Sequence, residues 1–134
     1  MRWLRKAAII PAVAALAVLG TGTQASASSN LGWWYTFSGT GFSTSGAFFD
    51  GDLNGYPGVE KITVCDNESD GRGVVAMAES TVSGTTYWVY DQSNDGKCSS
   101  ASSNMFPEEE WIYVEVCEYA GSNRYNCNEG AWIA

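Results

Sequence analysis

Past an apolar run at Ala7–Gly20, no stretch of the chain carries apolar residues at the 3.6-residue spacing of an amphipathic helix. The pattern is instead a series of short alternating runs, cut by Gly, Asn, Asp and Ser. Val59–Asp66 puts Ile62 and Val64 on one face and Lys61, Thr63 and Cys65 on the other. Val74–Val82 and Thr85–Asp91 are strand-like and meet at Ser83-Gly84, a short hairpin signal that predicts Glu79 facing Trp88 and Met77 facing Tyr90. Gln92–Pro107 is polar and Ser-rich and reads as a long loop. Trp111–Tyr119 is the clearest strand, with Ile112, Val114 and Val116 on one face, and Arg124–Ala134 returns against it. Trp33–Phe37 has strong β propensity, and Phe48-Phe49 resumes the apolar character after Gly39, Gly41 and Gly46. Together these runs predict an all-β fold: a small antiparallel β-sandwich or barrel.

The N-terminus changes the picture. Arg2, Arg5 and Lys6 precede the apolar run, and Ala25-Ser26-Ala27 follows it. This is the layout of a secretory signal peptide, expected to be removed after residue 27. The 14-residue apolar run is too short for a membrane span of about 20 residues, so no membrane insertion is expected. The expectation is a secreted, extracellular protein. Residues 28–58 then form a Gly/aromatic-rich N-terminal arm, and residues 59–134 a disulfide-stapled β domain. Beyond residue 27, four bases stand against fifteen acids, for a net charge of −11. Nucleic acid is excluded as a partner on this charge, since binding it rests on Lys and Arg neutralising phosphates. A basic protein surface is the natural counterpart.

Four cysteines in a small exported chain predict two disulfides. Cys117 and Cys127 lie symmetrically about Ser122, the middle of a turn, which favours Cys117–Cys127 and leaves Cys65–Cys98. In that hairpin register Tyr119 faces Tyr125, Ile112 faces Trp132, and Glu115 faces Glu129. The last pair is unfavourable unless a cation or a bulge intervenes.

There is no histidine, which removes the commonest general base, the Ser-His-Asp and Cys-His arrangements, and the commonest zinc ligand. The expectation is a protein that is not an enzyme and needs no cofactor. Three loops share the form D-x-[polar]-x-[D/N]-G, beginning at Asp50, Asp66 and Asp91. This is the first half of a calcium loop of the EF-hand type. The closing acid is missing from all three, where Lys61, Met77 and Ser102 stand instead. Asp50, Asp52 and Asn54 are the best calcium candidate; the other reading is ordinary turn chemistry.

Two readings of the aromatic N-terminal stretch stay open. Either Trp33–Phe37 and Ala47–Phe49 are strands of the sandwich, or the stretch is an extended arm that inserts into a partner, with aromatics as anchors. In the second reading the partner-binding set is Trp33, Trp34, Tyr35, Phe37 and Phe42, with Asp50 and Asp52 beside it. Trp88, Tyr90, Trp111, Tyr113 and Trp132 lie on predicted strands and are expected mostly as core or cross-strand pairs; exposed ones could stack on sugars.

This layout, a signal peptide, a Gly/aromatic stretch and a four-cysteine β body, resembles small secreted proteins of Streptomyces and related actinobacteria. In function it is most similar to the adaptor subunit of umbrella toxin particles. The resemblance implies a non-catalytic β domain that docks on a large polymorphic toxin, while its N-terminal arm engages a lectin-like subunit. The residues that would correspond are about Gly32 to Ala47, with Asp50 and Asp52. Two other classes remain beside it: a carbohydrate-binding domain, and an inhibitor of a secreted hydrolase presenting the Cys117–Cys127 loop.

Overall fold

The computed structural model describes residues 32–38, 41–53 and 56–134, so the expected signal peptide and Asn54 lie outside the described residues. The described chain is all β. In order it forms β1 (Gly32–Ser38), β2 (Gly41–Asp50), β3 (Glu60–Cys65), β4 (Gly73–Ser80), β5 (Thr86–Asp91), β6 (Cys98–Ser103), β7 (Trp111–Ala120) and β8 (Asn123–Ile133). Two antiparallel four-stranded sheets, ordered β1-β2-β3-β6 and β5-β4-β7-β8, face each other as a sandwich.

Alternation decides which side chains meet between the sheets. Ala47 and Phe49 of β2 and Ile62 and Val64 of β3 face Ile112, Val114 and Val116 of β7, with Trp132 of β8 among them, all buried. Phe106, from the segment after β6, closes one side. Its ring lies edge-on to Trp132 at 6.3 Å and to Tyr87 at 5.2 Å, while Phe49 packs on Trp132 at 5.6 Å.

The stretch expected as an arm is, over its described residues, an edge hairpin of the first sheet. β2 pairs with β3 from Gly46↔Cys65 to Asp50↔Lys61, so the hairpin shares a sheet with strands of the cysteine-bearing segment. Two glycines make this packing possible. A Cβ on Gly46 would sit 2.5 Å from the Trp34 carbonyl oxygen, so the close approach of β1 and β2 at this point needs glycine. A Cβ on Gly130 would sit 1.9 Å from Trp34 Cη2, so the indole lies directly over the β8 backbone of the opposite sheet.

Both disulfides join as expected, Cys65–Cys98 across β3 and β6 and Cys117–Cys127 across β7 and β8. Cys65 and Cys117 are buried, though neither belongs to the main hydrophobic cluster between the sheets.

Three local expectations are corrected. The β4–β5 register is Met77↔Trp88 and Glu79↔Thr86, two residues from the expected one. The turn is wider than Ser83-Gly84, because Ser80 organises it: its Oγ accepts the Val82 and Ser83 N–H groups, and its carbonyl accepts the Gly84 N–H. The Ser-rich loop contains a strand, β6, whose sequence CSSASS has little β propensity and which follows β3 in register from the Cys65–Cys98 link. At the end of the β7–β8 hairpin, Tyr119 pairs with Arg124 instead of Tyr125, because a bulge lies between Val116 and Glu118, with Asn126 at a positive φ of 52°. Below the bulge Ile112↔Trp132 and Glu115↔Glu129 hold as expected. The glutamates are separately satisfied: Arg124 donates to Glu115, and the Tyr113 hydroxyl donates to Glu129 at 2.5 Å.

Candidate functional site

Of the sequence-derived partner set, the described aromatic side chains divide between two faces of β1. Along β1, Trp34 and Thr36 turn toward the second sheet, while Tyr35 and Phe37 turn outward and stay 38% and 42% exposed. In the backbone register Trp33 lies opposite Phe48, and Phe42 opposite Phe37. Asp50 and Asp52 follow Phe48 at the open end of the hairpin, whereas Phe37 and Phe42 lie at its turn, about 27 Å away from Asp50 along eight residues of β2. Asp50 Oδ1 is buried with no hydrogen-bond partner among the described residues, whereas Asp52 Oδ1 accepts the Gly58 N–H at 3.1 Å.

The acidic loops act mainly as turns. Asp66 accepts the Glu68 N–H, Asp70 the Arg72 N–H and Asp95 the Lys97 N–H, each closing its own loop. Among the described residues, one group of acids comes together at the second loop. Oxygens of Glu68, Asp70 and Glu118 lie within 4.8 Å of one another. Glu118 is however already held, with Arg72 at 2.7 Å and Asn126 at 2.9 Å on the same oxygen. Glu115, Cys117 and Cys127 also cluster, but the disulfide removes both thiolates as ligands.

Around Glu118 the bulged end of the hairpin forms a buried polar layer. The irregularity between Tyr35 and Phe37 places Ser43 and Ser45 beside Thr36. The Thr36 and Ser43 hydroxyls are 2.5 Å apart, and Thr36 reaches Glu118 at 3.5 Å. Ser45 accepts the Asn67 N–H, and Asp91 accepts the Asp66 N–H, both at 2.9 Å. Burial raises the Asp66 carboxyl above its ordinary range; the Glu68 N–H opposes this, and Asp91 and Asp70 add to it.

At the opposite end Glu60 is fully buried. One carboxylate oxygen accepts the Met105 N–H at 2.6 Å and the other has no hydrogen-bond partner among the described residues. Burial, aided by nearby Glu108, raises this carboxyl despite the Met105 hydrogen bond. It sits beside the Met105-Phe106 pair that caps the core.

The second exposed aromatic group was not assembled from sequence. Trp132 is core as expected, but Trp88, Tyr90 and Trp111 are 42%, 49% and 58% exposed on the outer face of the second sheet. Trp88 and Tyr90 lie side by side at 6.3 Å with planes 21° apart, and Tyr90 meets Tyr119 edge-on at 5.4 Å. The Arg124 guanidinium lies 5.3 Å from the Trp88 ring centre, and Arg72 lies 4.5 Å from that of Tyr125. Trp88, Tyr90, Tyr119 and Arg124 line an open cleft of about 190 Å³, together with Val75 and the Gly121–Asn123 turn. The signal was present in β5, where Tyr87 and Val89 alternate with Trp88 and Tyr90; burying the first pair exposes the second. The Tyr113 hydroxyl nearby is pushed up to about 12 by its hydrogen bond to Glu129, then by burial and the Glu115 charge.

No family model, curated protein or solved structure matches this chain.

Proposed function

We propose that the protein is a non-catalytic recognition module of an exported assembly, which docks another protein through the outer face of the β1–β2 hairpin. The observation that carries this reading is Tyr35 and Phe37, two large side chains exposed one strand step apart on an edge hairpin. Aromatic anchors on a rigid element lose little entropy on binding and are the commonest interface hot spots. The acidic surface, with four bases against fifteen acids beyond residue 27, favours a basic partner and speeds encounter with it.

Two disulfides fit an oxidising compartment, and among the described residues no helix is long and apolar enough to cross a membrane. The specific role we propose is adaptor between a large exported toxin and a lectin-like subunit. The lack of histidine supports a binding role over a catalytic one.

The test is to recover the tagged protein from culture medium and identify co-purifying chains, with Tyr35→Ser/Phe37→Ser as the comparison. The expected result is a large exported partner captured by the wild type and lost by a variant that melts at the same temperature. Elution of the wild type alone at monomer size, or equal capture by the variant, overturns the reading.

A further inference from the structure

The outer face of the second sheet carries an aromatic cleft, separate from the β1–β2 hairpin. We propose that its cleft, walled by Trp88, Tyr90, Tyr119 and Arg124, binds one neutral pyranose ring of a polysaccharide.

The cleft suits one ring in size. Its volume of about 190 Å³ lies below the roughly 300–1,000 Å³ of sites that enclose drug-sized ligands or cofactors. Its chemistry is two-sided. Three aromatic side chains, held by mutual packing, line the inner part, and their π faces attract the weakly positive C–H groups of a sugar ring. Ser122, Asn123 and Arg124 form the lip and offer hydroxyl, amide and guanidinium groups to the ring hydroxyls.

The arrangement is also preorganised. Trp88 and Tyr90 stand on β5 opposite Met77 and Val75, and Tyr119 is fixed by the close approach of its ring to Gly73. A ligand therefore meets rings already in place, which limits the ordering cost of binding.

Charge selects among sugars. Glu79, Glu115 and Glu129 lie on this face, and Arg124 is already paired to Glu115. A uronate or sulfated sugar would meet net negative charge, so a neutral hexose or N-acetylhexosamine is the fitting class. A protein segment is disfavoured because the cleft is open and holds about one side chain, without the surrounding water-excluding contacts of a hot spot.

The test uses the full exported chain, with chitotriose, cellotriose and mannotriose as soluble probes followed by calorimetry and tryptophan fluorescence. Binding to at least one probe is expected. Trp88→Ala and Tyr90→Ala should each weaken it by about tenfold or more, a difference calorimetry resolves easily. Both side chains are substantially exposed, so the melting temperature should hold. Tyr35→Ser/Phe37→Ser should leave sugar binding unchanged, which separates this site from the hairpin. The proposal fails if none of the three probes binds, or if binding persists in both cleft variants. It also fails if no probe binds and Trp88→Ala instead abolishes capture of a protein partner, since the face is then a protein interface.

Discussion

Trp34 and Gly130 offer the sharpest test of whether the N-terminal hairpin belongs to the core. A methyl group on Gly130 would lie 1.9 Å from Trp34 Cη2 and 2.4 Å from Cζ2, far inside van der Waals contact. Gly130 is held by pairing to Val114 on β7, so the indole must yield. Overpacking of this kind costs about 1–3 kcal/mol, or roughly 4–8 °C of melting temperature per kcal/mol in a domain near 100 residues. Gly130 is not in the left-handed region, so its backbone tolerates alanine. Trp34→Ala alone should cost less than the about 3–5 kcal/mol of a fully buried tryptophan, because Trp34 is only partly buried. The informative variant is the double one. With the indole gone, Gly130→Ala should cost nothing, or stabilise by about 0.4–1 kcal/mol through the unfolded chain. Urea denaturation of the four proteins then gives a coupling energy of about 1–3 kcal/mol. Additive effects, or a Gly130→Ala cost below about 0.5 kcal/mol in the wild-type background, would show that Trp34 is not seated there and would refute the packing argument.

Phe49 is fully buried against Trp132, so Phe49→Ala should cost about 3–5 kcal/mol, and deletion of residues 28–49 should abolish cooperative unfolding; a truncated protein that still melts cooperatively would contradict the fold. Replacing Cys117 and Cys127 by serine opens a link of sequence separation 10, with an expected loss of roughly 3 kcal/mol measured by denaturation with and without reductant, and unchanged stability would remove the disulfide's role. Glu60 and Asp66 are the carboxyls held above their ordinary range, so the folded state binds their protons more tightly than the unfolded chain does. Their contribution is fully present below the ordinary carboxyl range, about pH 4, and is lost as pH rises through the raised folded values. Melting temperature should therefore fall as pH rises from about 4 toward neutrality, and Glu60→Gln should flatten the fall; a wild-type slope of the opposite sign would count against buried Glu60.

Much of this fold is legible in local pattern. Ile62 and Val64, and Ile112, Val114 and Val116, face inward because a strand alternates sides, and alternation is a property of neighbours along the chain. The Cys117–Cys127 pair follows from a turn centred between them, and the absence of histidine excludes much chemistry without any coordinates.

What local pattern could not decide depends on contacts far apart in sequence. β6 is a strand because the Cys65–Cys98 link and β3 hold it there, against the preference of its serines. The β4–β5 register depends on the Ser80 hydroxyl gathering the turn. Among the described residues, the acids that converge are Glu68, Asp70 and Glu118, because Glu118 arrives from β7 and no spacing within one loop reveals it. Trp34 is the clearest case. Trp34 is drawn inward by the space over Gly130, 96 positions later, while its neighbour Tyr35 remains outside. A sequence shows that two faces of a strand differ, but only the opposing sheet determines which one it covers.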